Sequence, residues 1–595
     1  MSMSPGLGFL DASPPPPLLM VDHLHIAFPT PAGSPTVVVE DLSFELSAGQ
    51  TLGIVGESGS GKTLTARALM GLVPAQAQIQ GKALLQIEQG SPLNLLGLSD
   101  QQMQQVRGRR LGMVFQEPAS ALTPVFTCGY QLRETLRATL SLSKAEIAAR
   151  CRQLFEEVHL DPSLLDRYPH QLSGGQLQRV GIALAMAGDP QILIADEPTT
   201  ALDVTIQAEI LALLRQVQAQ RQVALIFISH DLGVISTVAD RVLVMYRGRV
   251  MESGPVAAMF QSPQSPYTQS LIACRPQLGR PLRHLPTTDD LMQVATQADG
   301  SWTVQAKAVG SLDQLLRVQA ISPSEVKERQ AQIQQRDPLL KVTQLKTYFP
   351  VRGGWGRPQG MVKAVDGVSF EIYPGETLGL VGESGCGKST LGRTLLRLIP
   401  ASGGQIIYDG DDLLALPTQR LRRLRRELQL VFQDPFGALD PRMSVGESVM
   451  EPMRLHQIGE NRQERQQRVR ELFLKVGLDP QSLDRQPHAF SGGQRQRICI
   501  ARALASQPRL IVCDEAVSSL DVSVQAQVLN LLKQLQAELG LTYLFISHDL
   551  AVVQFMSDRI MVMNHGQVEE IGSPEQIYQH PQRDYTRRLI AAIPA

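Results

Sequence analysis

The chain lacks the features that would direct it to a polyanion, a zinc site or a bilayer by composition alone. Its 595 residues carry 56 Lys and Arg against 57 Asp and Glu, a net charge of -1, so no global field draws it to nucleic acid or anionic lipid. The six cysteines, Cys128, Cys151, Cys274, Cys386, Cys499 and Cys513, form no Cys-x-x-Cys pair and no zinc-ligand spacing. In a chain this long that pattern points to free thiols in a reducing compartment. No uninterrupted apolar run approaches the ~18 residues of a membrane span. Asp11 and the run Pro14 to Pro17 would break the apolar helix of a signal peptide. Together these absences predict a cytosolic chain without a membrane span of its own, whose partners are chosen by specific sites.

What the sequence has instead is a repeat of domain size. "TLGIVGESGSGKT" (51–63) recurs as "TLGLVGESGCGKS" (377–389), "MVFQEP" (113–118) as "LVFQDP" (430–435), and "ADEPTTALDVTIQAEIL" (195–211) as "CDEAVSSLDVSVQAQVL" (513–529). "HQLSGGQLQR" (170–179) and "HAFSGGQRQR" (488–497) are a further pair, and "FISHDLGVI" (227–235) returns as "FISHDLAVV" (545–553). From Ser173 and Ser491 onward the two copies keep a constant offset of 318 residues. The spacing predicts a flexible N-terminal segment over 1–18, a first domain over 19–274 and a second over 339–595. Between them, 275–338 reads as a linker that includes the end of the first domain's C-terminal extension. It is rich in Pro, Gln, Ser and Thr, with a short helix near 324–335, and is expected to constrain little.

Short apolar runs such as "ILIAD" (192–196), "ALIFIS" (224–229) and "RVLVMY" (241–246) alternate with helical patterns, as buried parallel strands between helices do. The fold class is α/β. Apolar residues at helical spacing follow Asp203 and again Asp521, so each aspartate is expected to cap a helix.

The run Gly56, Glu57, Ser58, Gly59, Ser60, Gly61, Lys62, Thr63 fits GxxxxGK[ST] between an apolar strand and a helical pattern, the context a phosphate-binding P-loop requires. Backbone amides there wrap phosphates at a positive helix end, Lys62 neutralises charge, and the Thr63 hydroxyl can hold Mg²⁺. Gly382, Glu383, Ser384, Gly385, Cys386, Gly387, Lys388, Ser389 and the adjoining Thr390 repeat the design. Cys386 supplies a small residue for loop shape, with a redox role as the lesser alternative.

Two apolar strands end in paired carboxylates. Alternation along a strand separates their directions, so Asp196 and Asp514 are assigned to the metal and Glu197 and Glu515 to the general base. His230 and His548, each after "FIS", can reach a γ-phosphate. Gln116 and Gln433, in "FQEP" and "FQDP", can hold Mg²⁺ or water. Phe28 and Phe349 could stack on adenine or pack into the core. Ser173, Gly174, Gly175 and Gln176, like Ser491, Gly492, Gly493 and Gln494, open a second anion-binding helix in each half. Because each P-loop is complete without it, that helix makes sense if it serves a nucleotide held by the other half, head to tail. The basic run Arg420, Arg422, Arg423, Arg425 and Arg426 reads as an exposed helix face rather than a nucleic-acid site.

The ordered set of P-loop, glutamine loop, "LSGGQ" (172–176) or "FSGGQ" (490–494), acidic strand, "ALD" or "SLD" and "SHD", present twice, resembles the ABC ATPases over nearly the whole chain. The resemblance implies two tandem P-loop NTPase domains, each with a mainly parallel core sheet, a helical subdomain carrying the signature and an antiparallel β subdomain. It also implies two sandwiched ATP molecules with Mg²⁺. One would lie between Lys62, Glu197, His230 and Ser491, Gly493; the other between Lys388, Glu515, His548 and Ser173, Gly175, with Asp203 and Asp521 beside the nucleotides. "YPHQLSGGQ" (168–176), "SPYTQSLIACRPQLG" (265–279) and "FQDPFGALDPRMSVGESVMEP" (432–452) are similar to the peptide and nickel importer branch. Within that branch the fused layout, the long linker, "RICIARALA" (497–505) and "CDEAVSSLDVS" (513–523) are most similar to the glutathione importers, and the likeness implies an importer of peptides or glutathione at the cytoplasmic face of a bacterial inner membrane. Its partners would be two permease subunits and, through them, an extracytoplasmic binding protein, with no nucleic acid.

Several residues depart from the branch: Ala516 and Val517 stand where Pro-Thr is common, Leu177 where Arg is common, and Thr123 where Asn is common. None removes a catalytic group, so both sites are expected to hydrolyse ATP. Some relatives carry an iron-sulfur cysteine cluster beyond "PYT"; only Cys274 lies there, and no cluster is expected. The rival reading is a soluble twin-cassette factor acting on ribosomes or DNA. It is disfavoured by a linker near charge balance, by the missing Cys-x-x-Cys pairs, and by too little chain between Gly56 and Glu197 for a long coiled coil.

Overall fold

The apolar runs form sheet centres. In the computed structural model, which describes residues 16–593 apart from 31–32, 34, 88–89, 201, 297–301, 308–311 and 353–357, the first half holds a six-stranded sheet. Its order is Arg249–Pro255, Arg241–Tyr246, Thr51–Gly56, Ala224–Ser229, Ile192–Asp196, Leu111–Val114. All neighbours are parallel except the first pair. The strands Thr51–Gly56, Ile192–Asp196 and Ala224–Ser229 are buried along their whole length, which is why they read as continuous apolar runs rather than alternating ones. A four-stranded antiparallel sheet, Thr36–Leu46, Leu19–Phe28, Gln78–Leu85, Leu93–Asn94, stands beside it. Their shared core includes Leu24, Ile26, Val39, Ile54, Ile194 and Ile226.

The second half repeats both sheets: Leu428–Val431, Leu510–Asp514, Thr542–Ile546, Thr377–Val381, Arg559–Asn564, Gln567–Gly572, and antiparallel Pro358–Ile372, Leu340–Arg352, Gly403–Tyr408, Asp411–Asp412. A helical layer completes each half. Cys128–Thr139, Lys144–Glu157 and Gly174–Met186 correspond to Val445–Leu455, Arg462–Lys475 and Gly492–Leu504. Local chemistry sets their starts: the side chains of Thr127, Ser143, Ser444 and Asn461 each accept a first-turn amide. The expected three-part architecture, twice over, is therefore what forms.

The described chain divides into two compact units. The first runs to Pro198 and resumes over Leu211–Ser262; the second takes Thr199–Ile210 and Pro263 onward. Residues 1–15 of the expected N-terminal segment, with Pro14 and Pro15 of the proline run, lie outside the described residues. None of the six cysteines is in a disulfide, and all are buried. No helix among the described residues is long and apolar enough to cross a membrane.

In the stretch read as a linker that constrains little, the described residues hold the short helix expected near 324–335, as Pro323–Gln334, and more order than expected: helices Thr288–Leu291 and Leu312–Gln319 and an antiparallel pair of Met292–Thr296 with Trp302–Ala306. Cys274, Leu282 and Leu285 sit inside the apolar core of the second unit. Asn530 clamps Leu285 by accepting from its N–H at 2.8 Å and donating to its carbonyl at 2.9 Å. Lys533 Nζ donates to the Leu282 carbonyl at 3.0 Å. Arg329 pairs with Asp558, its Nε donating at 2.5 Å. A few apolar anchors and backbone-directed hydrogen bonds dock a segment whose overall composition is polar.

Candidate nucleotide sites

Each P-loop turns from a central strand into a helix, Thr51–Gly56 into Lys62–Leu69 and Thr377–Val381 into Lys388–Leu395. The capping glycines, Gly61 and Gly387, are left-handed at φ 101° and 106°. A Cβ on Gly387 would lie 1.9 Å from the Ala364 carbonyl oxygen, so the loop is shaped by the close approach of two backbones. Lys62 Nζ donates to the carbonyls of Gly56 and Glu57 at 2.7 and 2.9 Å, and Lys388 Nζ to those of Gly382 and Glu383 at 2.8 Å each. Both ammonium groups are thus buried at the start of a helix whose leading amides face an incoming anion.

The two carboxylates of each pair find different partners. Thr63 Oγ1 donates to Asp196 Oδ1 at 3.0 Å and Ser389 Oγ to Asp514 Oδ1 at 2.7 Å. A hydroxyl beside a carboxylate is a hard oxygen pair of the type Mg²⁺ takes. Burial pushes both aspartates above the ordinary carboxylate range, against the lowering effect of those hydroxyls; a bound divalent cation reverses that balance. Glu197 and Glu515 follow in left-handed conformation, φ 46° and 49°. That conformation costs a non-glycine residue about 1 kcal/mol or more and gathers at functional sites.

The left-handed kink delivers the glutamates to the other candidates. Glu197 Oε2 accepts from Gln116 Nε2 at 3.0 Å and lies 3.3 Å from His230 Nδ1. Glu515 Oε2 accepts from Gln433 Nε2 at 2.8 Å and lies 3.4 Å from His548 Nδ1. Burial pushes the Glu515 carboxyl up, but the hydrogen bond and charge of His548 outweigh it and leave the group below its usual value. Burial likewise opposes a charged His548, and Glu515 again prevails, raising the imidazole. The arrangement can hold a carboxylate ionised and aimed at a water, with a histidine and an amide beside it.

Ser173 and Ser491 cap their helices by reciprocal bonds with Gln176 and Gln494. These bonds leave further amides of the first turn, from Gly174, Gly175, Gly492 and Gly493, pointing off the helix end. A Cβ at Gly493 would meet Val524 Cγ1 at 2.1 Å. Asp203 caps its helix by accepting from Ile206 N–H at 2.9 Å, and its Oδ2 takes the Ser384 amide at 3.2 Å within the second unit. Asp521 occupies the N-cap position of Val522–Leu539 without a side-chain bond to the first-turn amides, contrary to the cap expected there.

Phe28 is partly buried against its core, whereas Phe349 is 39% exposed and free to stack. Burial pushes the Cys386 thiol up, which suits a shape-filling residue better than a thiolate. Three arginines of the basic run are committed to their own cassette: Arg420 to Asp411, Arg425 to the Arg397 carbonyl, and Arg426 to Ser506 and Gln507. Arg393, 3.5 Å from Asp514 Oδ2, and Tyr585, bonded to the second P-loop, were missed by motif reading. The only signal for Tyr585 was its place in "DYT", at the constant offset from Tyr267 in "PYT".

Two family models match the chain. That of the ABC transporter covers residues 39–200 and 365–518, and that of the oligopeptide/dipeptide transporter C-terminal region covers 251–300. The glutathione import ATP-binding protein GsiA of Salmonella paratyphi A is 47% identical over 583 residues, spanning 97% of this chain and 89% of that protein. Its counterpart in Escherichia coli K12 is 46% identical over 587 residues with the same coverage. Among solved structures, the ATP-binding cassette MJ0796 bound to ADP and Pi aligns with 40% of this chain and 98% of its own, at 29% identity and a TM-score of 0.36.

Proposed function

The chain belongs to the ABC transporter ATPases, and from that membership we propose that it drives a bacterial importer of glutathione or small peptides through two ATP sites. One observation carries the reading. P-loop lysine and hydroxyl, strand-end Asp and Glu, glutamine and histidine are gathered in full in each half.

In this mechanism Lys62 and Lys388 leave the loop carbonyls for the phosphates, whose oxygens meet the amides opening each P-loop helix. Thr63 with Asp196, and Ser389 with Asp514, would hold Mg²⁺, with Gln116 and Gln433 completing each set; bound there, the ion would supply positive charge against the transferred phosphoryl group. Glu197 and Glu515 take the proton of the attacking water, while His230 and His548 steady the γ-phosphate side of the site. Phe28 and Phe349 lie against the base. Each Ser-Gly-Gly-Gln helix start, with the neighbouring Asp203 or Asp521, serves the nucleotide held by the other half, which accounts for a second anion-binding helix beside an already complete P-loop. ATP then binds best to a closed state, and only that differential affinity can work on a partner.

The partners are two permease subunits and, through them, an extracytoplasmic binding protein. The chain sits peripherally at the cytoplasmic face of the inner membrane. The cargo class rests on the glutathione-import relatives and on the oligopeptide/dipeptide region over 251–300.

ATP turnover tests the assignment of the bases. Glu197→Gln with Glu515→Gln is expected to lower it by about 10²- to 10⁴-fold, with ATP binding retained. Near-parental turnover in the double variant would remove the glutamates from that role.

A further inference from the structure

The last helix of the chain, Asp584–Ala591, reaches the second P-loop through one side chain. Tyr585 is buried, and its hydroxyl oxygen accepts from the Glu383 N–H at 3.0 Å. That amide belongs to the Gly382–Glu383 peptide, whose carbonyl accepts from Lys388 Nζ at 2.8 Å. One peptide plane is therefore held from both sides, by Tyr585 and by the phosphate-binding lysine. The following peptide is held likewise, its carbonyl by Lys388 Nζ at 2.8 Å and its Ser384 N–H by Asp203 Oδ2 at 3.2 Å.

The glycine at 382 makes the outer bond matter. With no Cβ, Gly382 allows the peptide that follows it more orientations than another residue would, so its hydrogen-bond partners help decide which way its N–H and carbonyl face. Tyr585 is itself well fixed. Leu589, one turn on, lies in the same apolar core as Val552, Val553 and Ile577. In the preceding helix, Pro574–Gln579, the Tyr578 hydroxyl donates to the Leu550 carbonyl, two residues beyond His548. The C-terminal helices thus touch the loop ahead of Lys388 and the segment behind His548. Residue 585 lies beyond both family-model matches.

We propose that Tyr585 is a positioning residue for nucleotide at the second P-loop: by holding the Glu383 amide it fixes the Gly382–Glu383 peptide, and with it the point from which Lys388 meets the phosphates. The proposal rests on the reading of residues 382–389 as a phosphate cradle.

The test uses the full chain carrying Lys62→Ala, so that only the second P-loop takes nucleotide, and a fluorescent ATP analogue with Mg²⁺ as the probe. Adding Tyr585→Phe is expected to weaken binding about five- to tenfold, the worth of one hydrogen bond. In the chain with Lys62 intact, the loss should fall on KM for ATP rather than on kcat. Leu589→Ala, which loosens the helix but keeps the hydroxyl, should lower the melting temperature and leave the affinity within about twofold. Unchanged affinity in Tyr585→Phe, or equal weakening by the two variants in step with lost melting temperature, overturns the proposal. Lys388→Ala in the same background separates the two layers: binding as tight as with Lys388 present would refute the cradle itself.

Discussion

Removing the Asn530 side chain would expose how firmly the segment after Pro263 is held. Asn530 is 7% exposed, and its amide satisfies both the N–H and the carbonyl of Leu285, at 2.8 and 2.9 Å. Asn530→Ala leaves both backbone groups buried without that partner. Each orphaned group costs about 1–3 kcal/mol, so the variant should lose roughly 2–6 kcal/mol, a large share of the roughly 5–15 kcal/mol that holds a typical domain folded. Leu282, still tied by Lys533, and Arg329, still paired with Asp558, should confine the loss to the docked segment. Asn530→Asp keeps an acceptor for the Leu285 N–H but sets a carboxylate against its carbonyl, and should cost no less. Native-state hydrogen exchange reads this directly: amides over 282–291 should lose about 30-fold or more of their protection while the strand Leu510–Asp514 keeps its own. A change below about 0.5 kcal/mol would refute the clamp and return the segment to the loose tether its composition suggests.

The P-loop geometry separates two neighbouring glycines. Gly387→Ala drives a Cβ to 1.9 Å from the Ala364 carbonyl, whereas Gly385→Ala meets no atom within 4 Å. The first should therefore abolish nucleotide binding at the second loop; the second should cost only about 1–2 kcal/mol of backbone strain. Equal behaviour of the two in nucleotide titrations would contradict the close approach. Lys533 offers a pH test. Burial, helped by Arg329 and Arg283 and opposed by Asp558, brings its ammonium from 10.5 down to about 8. Between those values the unfolded chain binds more protons than the folded one, so the contribution of this group to stability rises with pH from about 8 to 10.5. The gain is at most roughly 3 kcal/mol, and less for a side chain partly open to water. In urea unfolding, Lys533→Met should lose ground to the parent across that window; a constant difference would show that the lysine keeps its ordinary pKa.

Much of the site was legible because its chemistry is local and ordered. A P-loop between strand and helix, an acid pair ending a strand, and a histidine ending the next can be read from spacing, and the structure sets Thr63 on Asp196 and Gln116 on Glu197. The left-handed turn at Glu197 and Glu515 was not legible, since glutamate carries no preference for it and the surrounding strands impose it. Nor was the docking of 275–338. Its partners, Asn530, Lys533 and Asp558, lie some 230–250 residues further along the chain, and a polar composition says nothing of which few apolar residues find a core. Asp521 shows the limit of a local rule: it holds the cap position without making the cap bond. Tyr585 acts through a backbone amide, a contact that leaves no signature at the partner's position.

The most direct test of the account is to recover the tagged Glu197→Gln, Glu515→Gln protein from detergent-solubilised membranes of its own host, with ATP and Mg²⁺ present, and identify what accompanies it. The account predicts two polytopic membrane proteins; ribosomal or DNA-associated proteins without a permease would leave the ATP sites standing and contradict the importer.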